Sequence, residues 1–155
     1  RIEKGGLPVL QRKEPDWLFE GCATVREGTS DLVLVSTGAI VHEVIRASEE
    51  IQLELGVSPT VVDIHRIKPF PGRRVGELLA GAKHVIAIEE SYDALSIQLG
   101  MYILRSEMAP KFSSITVDER YFFEGSSRNH MLSLTGLSSD QIAAQVARVW
   151  SEGPR

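Results

Sequence analysis

Between residues 31 and 90, three continuous apolar runs (32–35, 61–64 and 85–88) are separated by stretches of helical periodicity. Runs that do not alternate apolar with polar positions belong to strands covered on both faces, and strands alternating with helices build a parallel sheet. In DLVLVSTGAIVHEVIRASEEI the first run passes through Ser36, Thr37 and Gly38 into a helix. There Val41, Val44, Ile45, Ile51 and Leu55 share one stripe, Glu43, Arg46, Glu49, Glu50 and Glu54 face away, and Gly56 is the stop. After the run at 60–64, a turn through Pro71 and Gly72 leads to Val75, Leu78, Leu79 and Ala82, whose spacing of i, i+3, i+4, i+7 marks a short helix.

Outside this core the pattern adds two more strands. Residues 22–26 form a short strand, and the tight connection Gly28-Thr29-Ser30 predicts an antiparallel pairing at the start of the sheet. A last strand at 114–117 precedes a helix that Ser138 caps, with Gln141 completing a capping box and Ile142, Val146, Val149 and Trp150 on its inner face. The predicted fold is α/β, a three-layer αβα arrangement around a doubly wound, mostly parallel five-stranded sheet with one antiparallel edge strand. Residues 17–155 make the domain, and 1–16, with Gly5, Gly6, Pro8 and Pro15 and no apolar period, make an entering linker.

The helix predicted at 95–108 carries two apolar stripes: Leu95, Leu99, Tyr102 and Ile103, then Ile97, Met101, Leu104 and Met108. One sheet covers only one stripe. Leu95, Ile97, Leu99, Met101, Tyr102, Leu104 and Met108 are therefore expected to include the contact surface for another subunit or domain.

Composition narrows the function classes. A chain of 155 residues with 43% hydrophobic and 25% charged residues fits one globular domain, and no apolar run is long enough to span a bilayer. The net charge of −4 disfavours a nucleic-acid binder, which needs a basic face to displace counterions; Arg73 and Arg74 do not supply one. Cys22 is the sole cysteine, so no internal disulfide or thiolate metal site forms, in keeping with a cytoplasmic protein. The start Arg1-Ile2-Glu3-Lys4 has neither an initiator methionine nor a signal-peptide core, and leads us to expect a piece of a longer polypeptide.

Several positions bear candidate chemistry, each with a structural alternative. The turn Ser36-Thr37-Gly38 opens a helix, where backbone amides cradle an anion, or where Thr37 simply caps and Gly38 turns. Asp63 and His65 end one strand, and Glu89 and Glu90 the next, at the edge where open α/β sheets bind ligands. They form either an acid–base group or helix caps and ion pairs with Arg66 and Lys68. His42, His84 and His130 lack ligand spacing, so no metal site is expected, and His42 is assigned to a solvated helix face. Ser126, Ser127, Arg128, Asn129 and His130, after the aromatic run Tyr121, Phe122 and Phe123, read as a polar loop able to touch a partner.

The order strand, STGA, helix, VVDIHRIKPFP, HVIAIEE and a closing GLSSDQIAAQV helix resembles the C-terminal domain of transketolase-like, thiamine diphosphate-dependent enzymes, over about residues 17–150. These include transketolase, 1-deoxy-D-xylulose 5-phosphate synthase and the 2-oxoacid dehydrogenase beta subunit. Phe19, Gly21, Ala23 and Arg26-Glu27-Gly28 match the family's entering segment, and Lys68-Pro69-Phe70 its Lys-Pro element. Departures are Pro71, where the family usually has a polar residue, and Ser91-Tyr92-Asp93-Ala94-Leu95 after the Glu-Glu strand end. The resemblance implies that residues 1–8 close a preceding pyrimidine-binding domain, with Lys4, and Arg1 three residues before it, at the substrate phosphate.

It further implies two-carbon transfer between sugar phosphates in a full-length, cytoplasmic, homodimeric enzyme of carbohydrate metabolism. The chain has no Gly-Asp-Gly motif with a downstream Asn for magnesium and diphosphate, so both would bind to N-terminal and pyrimidine-binding domains or subunits outside it. This chain alone is then expected to bind no cofactor and to be inert. Two other readings are a 2-oxoacid dehydrogenase beta-subunit end docking an acyltransferase core, and a stand-alone nucleotide or flavin-phosphate module using Ser36-Thr37-Gly38.

Overall fold

In the computed structural model, which describes residues 6–10, 16–123 and 125–151, five strands form one sheet. A short helix α1 (Trp17–Glu20) leads into β1 (Ala23–Arg26) and β2 (Thr29–Ser36). There follow α2 (Val41–Leu55), β3 (Pro59–Asp63), α3 (Gly72–Leu78), β4 (His84–Ile88), α4 (Leu95–Arg105) and β5 (Lys111–Ile115). Two helices, α5 (Arg128–Leu134) and α6 (Ser139–Ser151), close the chain. The order across the sheet is β1-β3-β2-β4-β5, parallel except at β1.

The apolar runs divide by parity, because successive side chains of a strand point to opposite faces. Leu32, Leu34, Val61, Ile86 and Ile88 meet Val44, Ala47 and Ile51 of α2 and Ile142, Ala143 and Val146 of α6. Val33, Val35, Val62, Val85 and Ala87 meet Val75 of α3 and Leu95, Leu99 and Ile103 of α4. Each of the buried Val, Leu and Ile side chains contributes about 1.5–3 kcal/mol from the area it removes from water, and each Ala methyl less. The doubly wound architecture expected from the continuous runs is the one observed.

Several local details differ from the expectation. The antiparallel strand β1 lies at the sheet edge, but its neighbour is β3, with Ala23 opposite Asp63 and Thr24 opposite Val62. The chain passes from β1 to β2 across the start of β3: the Gly28 amide donates to Thr60 Oγ1 at 3.2 Å and the Thr29 amide to the Ser58 carbonyl at 2.7 Å. The last strand starts at Lys111, since its register is fixed by β4, with His84 opposite Lys111 and Ile88 opposite Ile115. Residues 128–130 belong to α5 rather than to a loop, because Ser127 caps that helix by accepting from the His130 amide.

On α2 the polar face is narrower than expected. Glu43 is only 8% exposed and pairs with Arg46 one turn on, while Leu55, 39% exposed, leaves the buried stripe beside the left-handed stop at Gly56. Met108 lies beyond α4, which ends at Arg105, and is half-buried against the core. Ser138 and Gln141 do meet, but side chain to side chain, the hydroxyl donating to Gln141 Oε1 at 2.7 Å.

Candidate functional site

Strand order places the switch point of the sheet between β2 and β4. The chain leaves β2 towards α2 on one face, and leaves β4 towards α4 on the other. Ligands of open α/β sheets occupy the crevice such a divergence opens at the carboxyl ends of the strands. Here a cleft of about 460 Å³ lies there, with Thr37, Gly38, His65, Glu90 and Ser91 among its lining.

Thr37 and Gly38 of the Ser36-Thr37-Gly38 turn form one wall, with Ala39. Gly38 begins a single 3-10 turn before α2, and Thr37 sits at the cap position without a side-chain hydrogen bond, so the expected Thr37 cap is positional only. Ser36 is buried at the end of β2, and its carbonyl accepts from the Ile64 amide at 2.8 Å.

Of the four acid–base candidates, His65 and Glu90 line this cleft and Asp63 lies beside His65, while Glu89 is taken up by α4. Glu89 and Glu90 are adjacent in sequence and face opposite sides of the sheet. Glu89, fully buried, turns towards α4, where Oε2 accepts from the Leu95 amide at 2.9 Å and the Ser91 hydroxyl at 2.6 Å. Its Oε1 accepts from the Ser96 amide and hydroxyl. Burial opposes its ionisation, but the bonds from Leu95, Ser91 and Ser96 outweigh it and hold the carboxyl below its ordinary range. Glu89 is thus the cap of α4, as the structural alternative had it.

Glu90 instead pairs with Arg128 of α5 at 2.5 Å, and not with Arg66 or Lys68. Asp63 Oδ2 stands 3.8 Å from His65 Nδ1, within ion-pair range and beyond a hydrogen bond. Arg66 donates to the Phe19 and Glu20 carbonyls of α1. The Glu90–Arg128 pair has no local sequence signal, since it links residues whose proximity depends on how the chain after β5 folds back over the sheet.

The histidines are dispersed. His42 is half-buried rather than solvated, and burial followed by the Arg46 charge keeps its imidazole below the ordinary value. His84 packs on the Trp150 ring at 5.0 Å, and His130 is exposed on α5. Among the described residues no group of three His, Cys, Asp or Glu side chains could hold a metal ion. Arg1 and Lys4 lie outside the described residues.

The α4 surface separates into two parts. Leu95 and Leu99 are enclosed in the domain's own core, Tyr102 lies across Gly72 and Gly76 of α3 beside Phe70, and Met108 packs on the same core cluster. Ile97, Met101 and Leu104 remain 50%, 41% and 80% exposed.

The family profile described as transketolase, C-terminal domain, matches residues 21–142. A 1-deoxy-D-xylulose-5-phosphate synthase of Chlorobium luteolum is 29% identical over 94% of this chain and 23% of its own length. The alpha subunit of a 2-oxoacid:ferredoxin oxidoreductase from Aeropyrum pernix is 29% identical over 75% of this chain and 18% of its own. Among solved structures, a split-gene transketolase described as an inactive beta4 tetramer superposes with a TM-score of 0.74 at 22% identity, over 94% of this chain and 46% of the other. This chain thus spans about a quarter or less of the curated relatives. Neither the dehydrogenase beta-subunit reading nor the stand-alone phosphate-binding module is favoured by these matches.

Proposed function

This chain belongs to the transketolase C-terminal domain family, and on that footing we propose that it is the assembly domain of a larger, thiamine diphosphate-dependent enzyme that transfers a two-carbon unit between sugar phosphates. The observation that carries this reading is the second stripe of α4. Ile97, Met101 and Leu104 stay exposed on a helix whose other stripe is already buried. An apolar row left on an otherwise satisfied helix suits burial against a partner surface.

In this reading the partners are the thiamine diphosphate-binding and pyrimidine-binding domains of the same enzyme, and a second copy in a cytoplasmic homodimer. Thiamine diphosphate supplies the carbanion chemistry when bound. Among the described residues no group of three His, Cys, Asp or Glu side chains could hold its magnesium, and Glu89 is engaged as a helix cap. The cofactor is accordingly assigned to other parts of the enzyme, the isolated chain to an inert role, and Lys4 and Arg1 to a substrate phosphate.

The test is a triple substitution, Ile97→Glu, Met101→Glu and Leu104→Glu, in the full-length protein. Light scattering should show weakened assembly and assays reduced transfer activity, with the fold of this domain retained. Unchanged assembly would remove the α4 face from the proposal. Tight thiamine diphosphate binding by the isolated chain in calorimetry would overturn the division of labour.

A further inference from the structure

Ala94, at the amino end of α4, is exposed together with Ile97, Met101 and Leu104, and the four form one row on the side of the helix away from the buried Leu95, Leu99 and Ile103. We propose that this row packs against the same row of a second copy, with the two α4 helices antiparallel across a two-fold axis. The inference rests on the assembly role argued above and names what meets α4.

The spacing of the row selects a helix as its partner. A helix seated on a sheet buries a broad stripe, as Leu95, Leu99, Tyr102 and Ile103 do here. The outer row is narrow and advances by three, four and three residues, the seam that one helix offers to another with the axes about 20° apart. Four side chains from each copy fall short of the about 800 Å² that each partner of a stable interface buries. The contact is therefore one part of the dimer of the full-length enzyme, where other surfaces add to it.

The row is complementary to itself in the antiparallel sense. Reversed against its own copy, Ile97 comes beside Met101 of the second copy, and Ala94, the smallest member, beside Leu104, the most exposed of the large ones at 80%. That register brings Arg105, exposed in the last turn, level with Asp93 at the start of the other α4. The positive amino end of each helix dipole also meets the negative carboxyl end of the other. A parallel pair would set Leu104 on Leu104 and Ala94 on Ala94, with the Arg105 charges level. Closed two-fold contacts of this isologous kind are the commonest among soluble oligomers.

The experiment is thiol cross-linking in the full-length protein. Chains carrying Ile97→Cys and chains carrying Met101→Cys, with different tags, are co-expressed and treated with a short bismaleimide, against chains without either substitution as background. Both positions are exposed, so the fold should be retained. Mixed-tag dimers should form at least about tenfold faster than with Leu104→Cys on both chains, since thiols held in one contact have a high effective concentration. The two Leu104 positions would lie about 15 Å apart along the axes, ten residues at about 1.5 Å each. Faster linking through Leu104, or equal linking by both pairs, overturns the antiparallel seam. No linking by either pair overturns it too. In that case the triple glutamate substitution separates the outcomes: weakened assembly means that the row meets a different domain and the assembly role stands, and unchanged assembly removes both.

Discussion

Ser96 and Glu89 are joined twice: the Ser96 amide and the Ser96 hydroxyl each donate to Glu89 Oε1 at 2.8 Å. With the bonds from Leu95 and Ser91 to the other oxygen, a strand-end carboxylate takes up the amino end of α4 and its dipole. Glu89→Gln should cost about 2–3 kcal/mol, because an amide nitrogen replaces one acceptor oxygen in front of buried donors. Urea unfolding measures it. The folded-state pKa of Glu89 lies below the unfolded value. Its contribution is therefore complete above the unfolded value of about 4.3 and lost as pH falls through the folded one. The gap between wild type and Glu89→Gln should shrink on acidification below about pH 4.

Gly28 is required by close approach. A Cβ there would overlap the Ser58 carbonyl oxygen and the Pro59 backbone, which cannot yield as a flexible side chain would. Gly28→Ala should lower stability by about 2–4 kcal/mol, in the range of overpacking and lost backbone bonds. Hydrogen exchange should show the loss concentrated in β1 and the first half of β3.

The Glu90–Arg128 pair holds α5 to the carboxyl edge of the sheet, with the two side chains 10% and 25% exposed. A double-mutant cycle with Glu90→Gln and Arg128→Gln should return a coupling of about 1–2 kcal/mol, larger than for exposed pairs. A value near zero would mean that the aliphatic stem of Arg128, and not its charge, fastens the helix.

His84 gives the domain a dependence on pH near neutrality. Burial first, then the Lys111 charge, lowers its folded pKa. The unfolded chain therefore takes up the proton first, and stability is lost as pH falls below about 6.5 towards the folded value. His84→Phe, which keeps a ring against Trp150, should flatten the stability profile between about pH 7.5 and 5.5. His42, whose pKa is shifted the same way by burial and the Arg46 charge, should contribute to the slope that remains.

The layered α/β architecture and its family were legible in the chain because they rest on local pattern. Continuous apolar runs at 32–35, 61–64 and 85–88 admit only strands covered on both faces, and helical stripes between them impose parallel crossovers. The buried stripe of α4 and the apolar row left over were likewise visible at helical spacing, although their division between core and surface was not: Leu99 is enclosed and Leu104 open.

Tertiary structure alone decided the rest. Whether β1 lies beside β2 or β3 turns on a backbone crossing at Gly28 that no periodicity records. That Glu89 serves a helix while its neighbour Glu90 reaches Arg128 follows from strand parity combined with two loops folding back over the sheet. The Arg66 clamp on α1 joins residues 47 apart. Hydrophobic periodicity fixes which face of an element is buried, since burial acts on every residue of a stripe in the same direction. The partner of a single charged or hydrogen-bonding group depends on distances of a few ångströms between segments far apart in sequence, and those exist only once the core has set the elements in place.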